Sequence, residues 1–290
     1  MAINTNFPNV RPSLLLDFAN AQQLDPRVTF SRSTTAPYYD GKTSVLAEQN
    51  LILQSNGFST STGWQQSGNG CGVPVQNATA PDGTTTAWTL TATAGNSIHI
   101  MQQTGYTTVS ASTNYVVSFY LQAGTNTYAS IGVLASITNY TVVNFTLSGA
   151  GTAGSITSAG TVTGVTATIT QFGSWYRCSL SFNTTATQVN SYVQISNSAT
   201  PTYGSGGFIT YNAAGTETLL VYGAQLEQRS SVTAYNATTT TAITNYIPQL
   251  LTAPINQPRF DFNPTTGESL GLLIEQSSTC LLYTSDAADE

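Results

Sequence analysis

Between Gln49 and Leu226 the chain carries only three charged residues, Asp82, Arg177 and Glu217. A stretch of that length normally spends about a quarter of its positions on charge, so its surface must be built from neutral polar groups. Those groups are hydroxyls: the chain holds 49 Thr and 30 Ser. Apolar residues still make up 40% of it, with 15 Tyr and 11 Phe, enough for a buried core and against wholesale disorder. Thr is β-branched and fits a pleated, half-buried surface better than a helix.

The apolar signal in this zone has period two. In 115–123, Tyr115, Val117, Phe119 and Leu121 share one face, while Ser118, Tyr120 and Gln122 share the other. In 140–147, Val143, Phe145 and Leu147 line one face opposite Asn144 and Thr146. In 175–182, Tyr176, Cys178, Leu180 and Phe182 alternate with Trp175, Arg177, Ser179 and Ser181. Similar short runs fall at 86–92, 97–104, 128–135, 161–170, 188–196, 207–211 and 218–226, divided by Gly, Asn, Asp or Ser turns. About ten short strands without an amphipathic helix predict an all-β fold, an antiparallel β-sandwich, over 49–229. The low-complexity run 149–164 reads as a loop or a long hairpin.

Outside this domain, Pro and charge return. Residues 1–48, with Pro8, Pro12, Pro26 and Pro37, read as an N-terminal connector. Residues 230–279, with Pro248, Pro254, Pro258 and Pro264, read as a linker leading to a truncated second module. An internal echo supports the second module: 40–54 and 266–282 each run from an acidic turn through apolar residues to Glu-Gln and a Leu-rich strand start. The last stretch, 280–290 (CLLYTSDAADE), resembles a translated transposase adapter of the kind used to prepare sequencing libraries. On that resemblance the natural protein is expected to continue past about Thr279, and 280–290 to take no part in its fold. Without its three acids the formal net charge is −3 rather than −6.

Composition excludes several functions. Seven basic residues, one of them a lysine (Lys42), cannot neutralise a run of phosphates, so nucleic acid is not expected as a partner. No apolar run approaches 18 residues and the start MAINTNFPNV has neither a basic nor an apolar leader region, so no membrane insertion and no signal peptide are expected. Catalysis has little material. His99 is the single histidine, placed between Ile98 and Ile100 as a buried structural residue, and Asp82 sits in a Pro-Asp-Gly turn. Glycoside hydrolysis needs two positioned carboxylates, and the domain offers Asp82, Glu217 and the peripheral Glu227. No enzyme is expected. Cys71 and Cys178 leave open one disulfide or two buried thiols.

Aromatic residues are the better leads, because sugars present apolar CH faces that stack on rings while amides and hydroxyls take their OH groups. Trp175 and Arg177 point away from the core face of their strand and would form a flat platform with a charged edge, with Tyr120 and Gln122 on the same side of the neighbouring strand. The opposite reading of that side is that a loop or another subunit covers it. Trp64 closes the opening loop and is the fifth candidate ligand contact, although core is its commoner fate. These five are the expected glycan-binding residues; none is catalytic and no metal ligand set is apparent.

Two groups of segments resemble known families. Asn50–Trp64 (NLILQSNGFSTSTGW), Gly173–Phe182 (GSWYRCSLSF) and Leu219–Glu227 (LLVYGAQLE) resemble the opening, Trp-bearing and closing strands of jelly-roll carbohydrate-binding modules. Pro12–Asp40 and Pro258–Glu275 resemble connector segments of phage structural proteins of the tail-fibre or head-spike type. The resemblance implies a jelly-roll, lectin-like sandwich in a virion component, made in the host cytoplasm. Its partners would be a cell-surface glycan, other virion subunits and further copies of itself, most simply as a trimer. A structural calcium, which such modules often hold, finds no acid at 51–64 and finds Ala224 and Gln225 in the closing strand, so its ligands are short. The same residues are compatible with a purely structural spacer, or with an accessory module of a bacterial surface enzyme or adhesin.

Overall fold

In the computed structural model the described residues are 16–59, 61–67 and 70–274. The expectations placed on 275–290, the adapter-like stretch and the second half of the second echo, lie outside them. The chain divides into two compact units, one made of residues up to Leu46 together with those from Tyr246 onward, the other running from Ala47 to Asn245.

The larger unit is an all-β, antiparallel jelly-roll-type sandwich. Its strands are β1 (Trp64–Ser67), β2 (Val75–Ala78), β3 (Ala87–Thr91), β4 (Ile100–Gln103), β5 (Thr113–Ala123) and β6 (Tyr128–Ser136), followed by β7 (Asn139–Thr146), β8 (Thr152–Ala159), β9 (Thr163–Phe172), β10 (Trp175–Thr184), β11 (Gln188–Ser196) and β12 (Thr218–Glu227). One sheet has the order β8-β7-β6-β11-β4-β1, with Thr107–Thr108 also pairing with β11; the other has the order β9-β10-β5-β12-β3-β2. Strands at 87–91, 128–136, 163–172, 188–196 and 218–227 fall on the predicted runs within a residue or two at most ends. The 149–164 stretch supplies β8 and the start of β9, so it is neither loop nor simple hairpin: its two strands end opposite sheets.

The period-two pattern becomes packing directly. Tyr115, Val117, Phe119 and Leu121 of β5 meet Tyr176, Cys178, Leu180 and Phe182 of β10 in one core, joined by Ile131 and Val133 of β6 and Val143 and Phe145 of β7 from the facing sheet. Each such buried side chain contributes roughly 1.5–3 kcal/mol relative to exposure. Trp64 lies fully inside this core, its ring 4.6 Å from Phe58 and 6.2 Å from Phe119, and its indole N–H donates to the Gln54 carbonyl at 2.9 Å. His99 is also buried, its ring tilted against that of Tyr211 at 4.4 Å, with its ring nitrogens against the carbonyls of Gly70 and Tyr211. Cys71 and Cys178 are buried free thiols, and burial pushes the Cys71 thiol up to about 12.

The sandwich unit extends past the Arg229 that the sequence suggested as its end, because 230–245 is fastened to the second sheet. Gln225 donates to the Ala234 carbonyl at 3.1 Å and accepts from the Asn236 amide at 2.8 Å. Asn50 donates to the Asn236 carbonyl at 2.8 Å, and the Thr238 amide donates to Ser55 Oγ at 2.8 Å. Glu227, fully buried, accepts from the amide and hydroxyl of Thr233 and sits 3.7 Å from Arg229. A buried carboxylate is tolerated only when paired and hydrogen-bonded, and this one is.

The smaller unit is held by short antiparallel pairs, Ala36–Tyr38 with Leu251–Ala253 and Phe260–Phe262 with Ser269–Leu272. Here charged side chains satisfy backbone that prolines keep out of longer ladders. Arg32 donates to the carbonyls of Thr34, Ala253 and Pro254, Arg259 donates from a buried position to the Pro37 carbonyl, and Asp261 accepts from the Tyr39 amide. The segments that read as connectors therefore carry ordered strands of their own. Among the described residues no helix is long and apolar enough to cross a membrane.

Candidate functional site

The site begins at the β9–β10 turn. Gly173 takes a left-handed backbone conformation, φ +61°, which a two-residue hairpin turn requires and glycine adopts freely. The turn makes Phe172 the cross-strand partner of Trp175. Down β10, alternation places Trp175, Arg177, Ser179 and Ser181 on the face away from the core, as the sequence pattern predicts.

That face is not a bare platform. Trp175 is only 3% exposed; its indole N–H donates to the Thr79 carbonyl at 3.1 Å, and its ring meets Tyr222 edge-on at 6.5 Å. Arg177 is 7% exposed, donating to the Thr233 carbonyl and to Ser118 Oγ, with its guanidinium 5.3 Å over the Tyr120 ring. The expected charged edge is thus an internal tie for the 230–238 segment. Trp64 is core, the commoner fate of such a residue. For Trp175 and Arg177 the physical reason is that β10 is covered on both faces, by the facing sheet on one side and by 230–238 and the 78–83 loop on the other; Trp64, on β1, is buried because it points into the core between the sheets.

Tyr120 is half-buried in an aromatic cluster with Phe172, Tyr222 and Tyr235 at ring distances of 5.7, 6.1 and 6.3 Å. Tyr235 comes from the covering segment and anchors its hydroxyl 2.7 Å from Ser55 Oγ. Gly223 makes room for it. A bulge in β12 at this point sets Gly223 at φ +60°, where an added Cβ would lie 3.2 Å from the Tyr235 ring.

Beside this cluster lies an open groove of about 490 Å³. Trp175, Gln122 and Leu220 belong to its sheet side, while 78–81, Gly83 and 172–174 form its other lining. Its exposed ring is Phe172, 47% accessible. Two of the five predicted residues, Trp175 and Gln122, therefore come together in one site; Tyr120 reaches it through Phe172, and Arg177 and Trp64 do not line it. Phe172 was the residue missed. The signal for it was present: on β9 the outward positions run Thr166, Thr168, Thr170, Phe172, one aromatic ending a row of hydroxyls.

The carboxylates of this unit are occupied locally. Asp82 accepts from the Thr84 amide at 2.9 Å and hydroxyl at 2.6 Å, and from the Tyr222 hydroxyl at 2.9 Å. The Thr84 hydrogen bonds, followed by that of Tyr222, hold its carboxyl below the usual range. Glu217 accepts from the amides of Ala214, Gly215 and Thr216, which lower it likewise. Among the described residues no group of three His, Cys, Asp or Glu is placed to hold a metal ion. A neutral groove with one exposed ring, an amide and a hydroxyl suits a neutral polyol.

No protein-family model matches the chain, and no curated protein matches its sequence. Solved structures similar to part of it include the following two. One is the carbohydrate-binding module TmCBM61, determined with beta-1,4-galactotriose, at 10% identity and a TM-score of 0.35, covering 63% of this chain and all of that one. The other is the enzymatically active domain of tailspike protein 4 from bacteriophage CBA120, at 11% identity and a TM-score of 0.37, covering 62% of this chain and 21% of that one. At such similarity neither transfers a ligand, an activity or a residue role.

Proposed function

We propose that the chain is a non-enzymatic virion component of the phage tail-fibre or head-appendage type, whose sandwich binds a cell-surface glycan in the Phe172 groove. The observation that carries the binding role is the pairing of an exposed ring, Phe172, with the Gln122 amide along an uncharged 490 Å³ groove. The ring stacks on the apolar face of a sugar, and Gln122 and Ser174 take hydroxyls. The virion role is supported by the resemblance of the Pro12–Asp40 and Pro258–Glu275 segments to phage connectors. The scarcity of charge on the sandwich favours subunits joined around a symmetry axis, here a homotrimer.

A glycan array probed with the full chain and with Phe172→Ala tests the binding role. Binding by the parent and its loss in the variant supports it; silence of the parent across the array leaves the spacer reading. That second reading has its own observation: Trp175, Arg177 and Trp64, the side chains that would make a broad platform, are all buried. Light scattering on the full chain tests the trimer.

A further inference from the structure

We infer that the sandwich carries a second saccharide site, distinct from the Phe172 groove, selective for neutral sugars that bear a methyl group. It is a cavity of about 480 Å³ between the chain entering the sandwich and the turn after β4, and it shares no lining residue with the first groove. Leu51, Leu53 and Ala242 give it an aliphatic wall, Tyr106 an aromatic one, and Gln103 and Thr107 a polar one. Leu53 and Tyr106 are 45% and 48% exposed, so both present their apolar surface to a ligand.

The polar side is built rather than incidental. Gln103 is nearly buried, its amide oxygen accepting from the Ser191 amide at 3.1 Å and its nitrogen donating to Thr107 Oγ1 at 3.3 Å, which leaves one amide proton for a ligand. Asn190 clamps the turn from below, donating to the carbonyls of Gln103 and Gly105 at 2.7 and 2.8 Å, and the Thr104 amide is held by the Gly63 carbonyl at 2.9 Å. The turn that carries Tyr106 is therefore set before any ligand arrives, and preorganisation of this kind lowers the cost of binding.

The lining chooses the ligand class. None of its residues is charged, so an anionic or cationic sugar would lose hydration without a partner. A sugar with hydroxyls on every side would leave Leu51 and Leu53 against OH groups. An N-acetyl or 6-deoxy sugar places its methyl on that wall, its ring face on Tyr106 and a hydroxyl or amide at Gln103.

The test is amide-shift mapping on the isotopically labelled full chain, titrated with N-acetylglucosamine, L-fucose and glucose. Shifts at Leu53 and 103–108 with either methyl-bearing sugar, at an affinity about tenfold above that for glucose, support the site. A response to only one of the two identifies whether the acetyl or the deoxy methyl is read. Tyr106→Ala and Leu53→Ser should each abolish these shifts, and Phe172→Ala should leave them intact, so failure of the first groove and of this site are separable. No shift at 103–108 with either methyl-bearing sugar overturns the inference, as do equal affinity for glucose or full binding by Tyr106→Ala.

Discussion

Phe172 and Trp175 are cross-strand partners at one turn, yet Trp175 is 3% exposed and Phe172 47%. The indole is committed to the fold by its bond to Thr79 and its packing on Tyr222, whereas the phenyl ring ends a strand at the sheet edge and faces solvent. The two substitutions therefore separate. Trp175→Ala should destabilise by about 3–5 kcal/mol, the usual result of emptying a buried aromatic position, read as a lower denaturant midpoint. Phe172→Ala should leave that midpoint nearly unchanged and weaken glycan binding by about 1–3 kcal/mol if its ring is the stacking surface. Equal stability losses would place Phe172 in the fold and not in the site.

The covering segment hangs on Glu227. Replacing it with Ala strands the amide and hydroxyl of Thr233 and removes the carboxylate beside Arg229, whose guanidinium keeps its bond to the Ala47 carbonyl. Hydrogen bonds to charged groups contribute about 1.5–3 kcal/mol each, so Glu227→Ala should cost at least that much. Hydrogen exchange should rise first at 230–238, where the segment lies on Tyr120 and Tyr222. Uniform exchange across the sandwich would show that the segment has no separate opening.

Acid should loosen the 78–84 turn. Hydrogen bonding lowers the folded-state pKa of Asp82, so its ionised form binds the turn more strongly than its protonated form does. That contribution is complete above the unfolded carboxylate value, about 4, and is lost as pH falls through the lower folded value. The thermal midpoint of the parent should drop below pH about 4 more steeply than that of Asp82→Asn, which keeps an acceptor for Thr84 but does not titrate. Parallel curves would show that Glu217 and the other acids account for the whole acid limb.

The thiols should be silent in the native state. Burial raises both Cys71 and Cys178, so a Cys280→Ser chain should not react with a disulfide reagent at pH 8. It should titrate two thiols once unfolded. None after unfolding, without reductant, would mean the pair had been oxidised.

Period-two alternation by itself determined the class of fold. With Tyr115, Val117, Phe119 and Leu121 on one side of a strand, and Tyr176, Cys178, Leu180 and Phe182 on one side of another, burial of both sets demands a sandwich. Alternation also set which residues leave the core face, and so brought Trp175 and Gln122 to one side of one sheet. What it could not decide is whether that side meets water. Strand periodicity reports the direction of a side chain from its own backbone, while exposure depends on what segment arrives from elsewhere in the chain. Here 230–238, which shows no strand pattern, lies over Arg177, Tyr120 and Tyr222 through Thr233 and Tyr235, and the 78–83 loop closes on Trp175. Those long-range contacts turned a predicted platform into an interior and left Phe172, at the far end of an edge strand, as the ring that faces out.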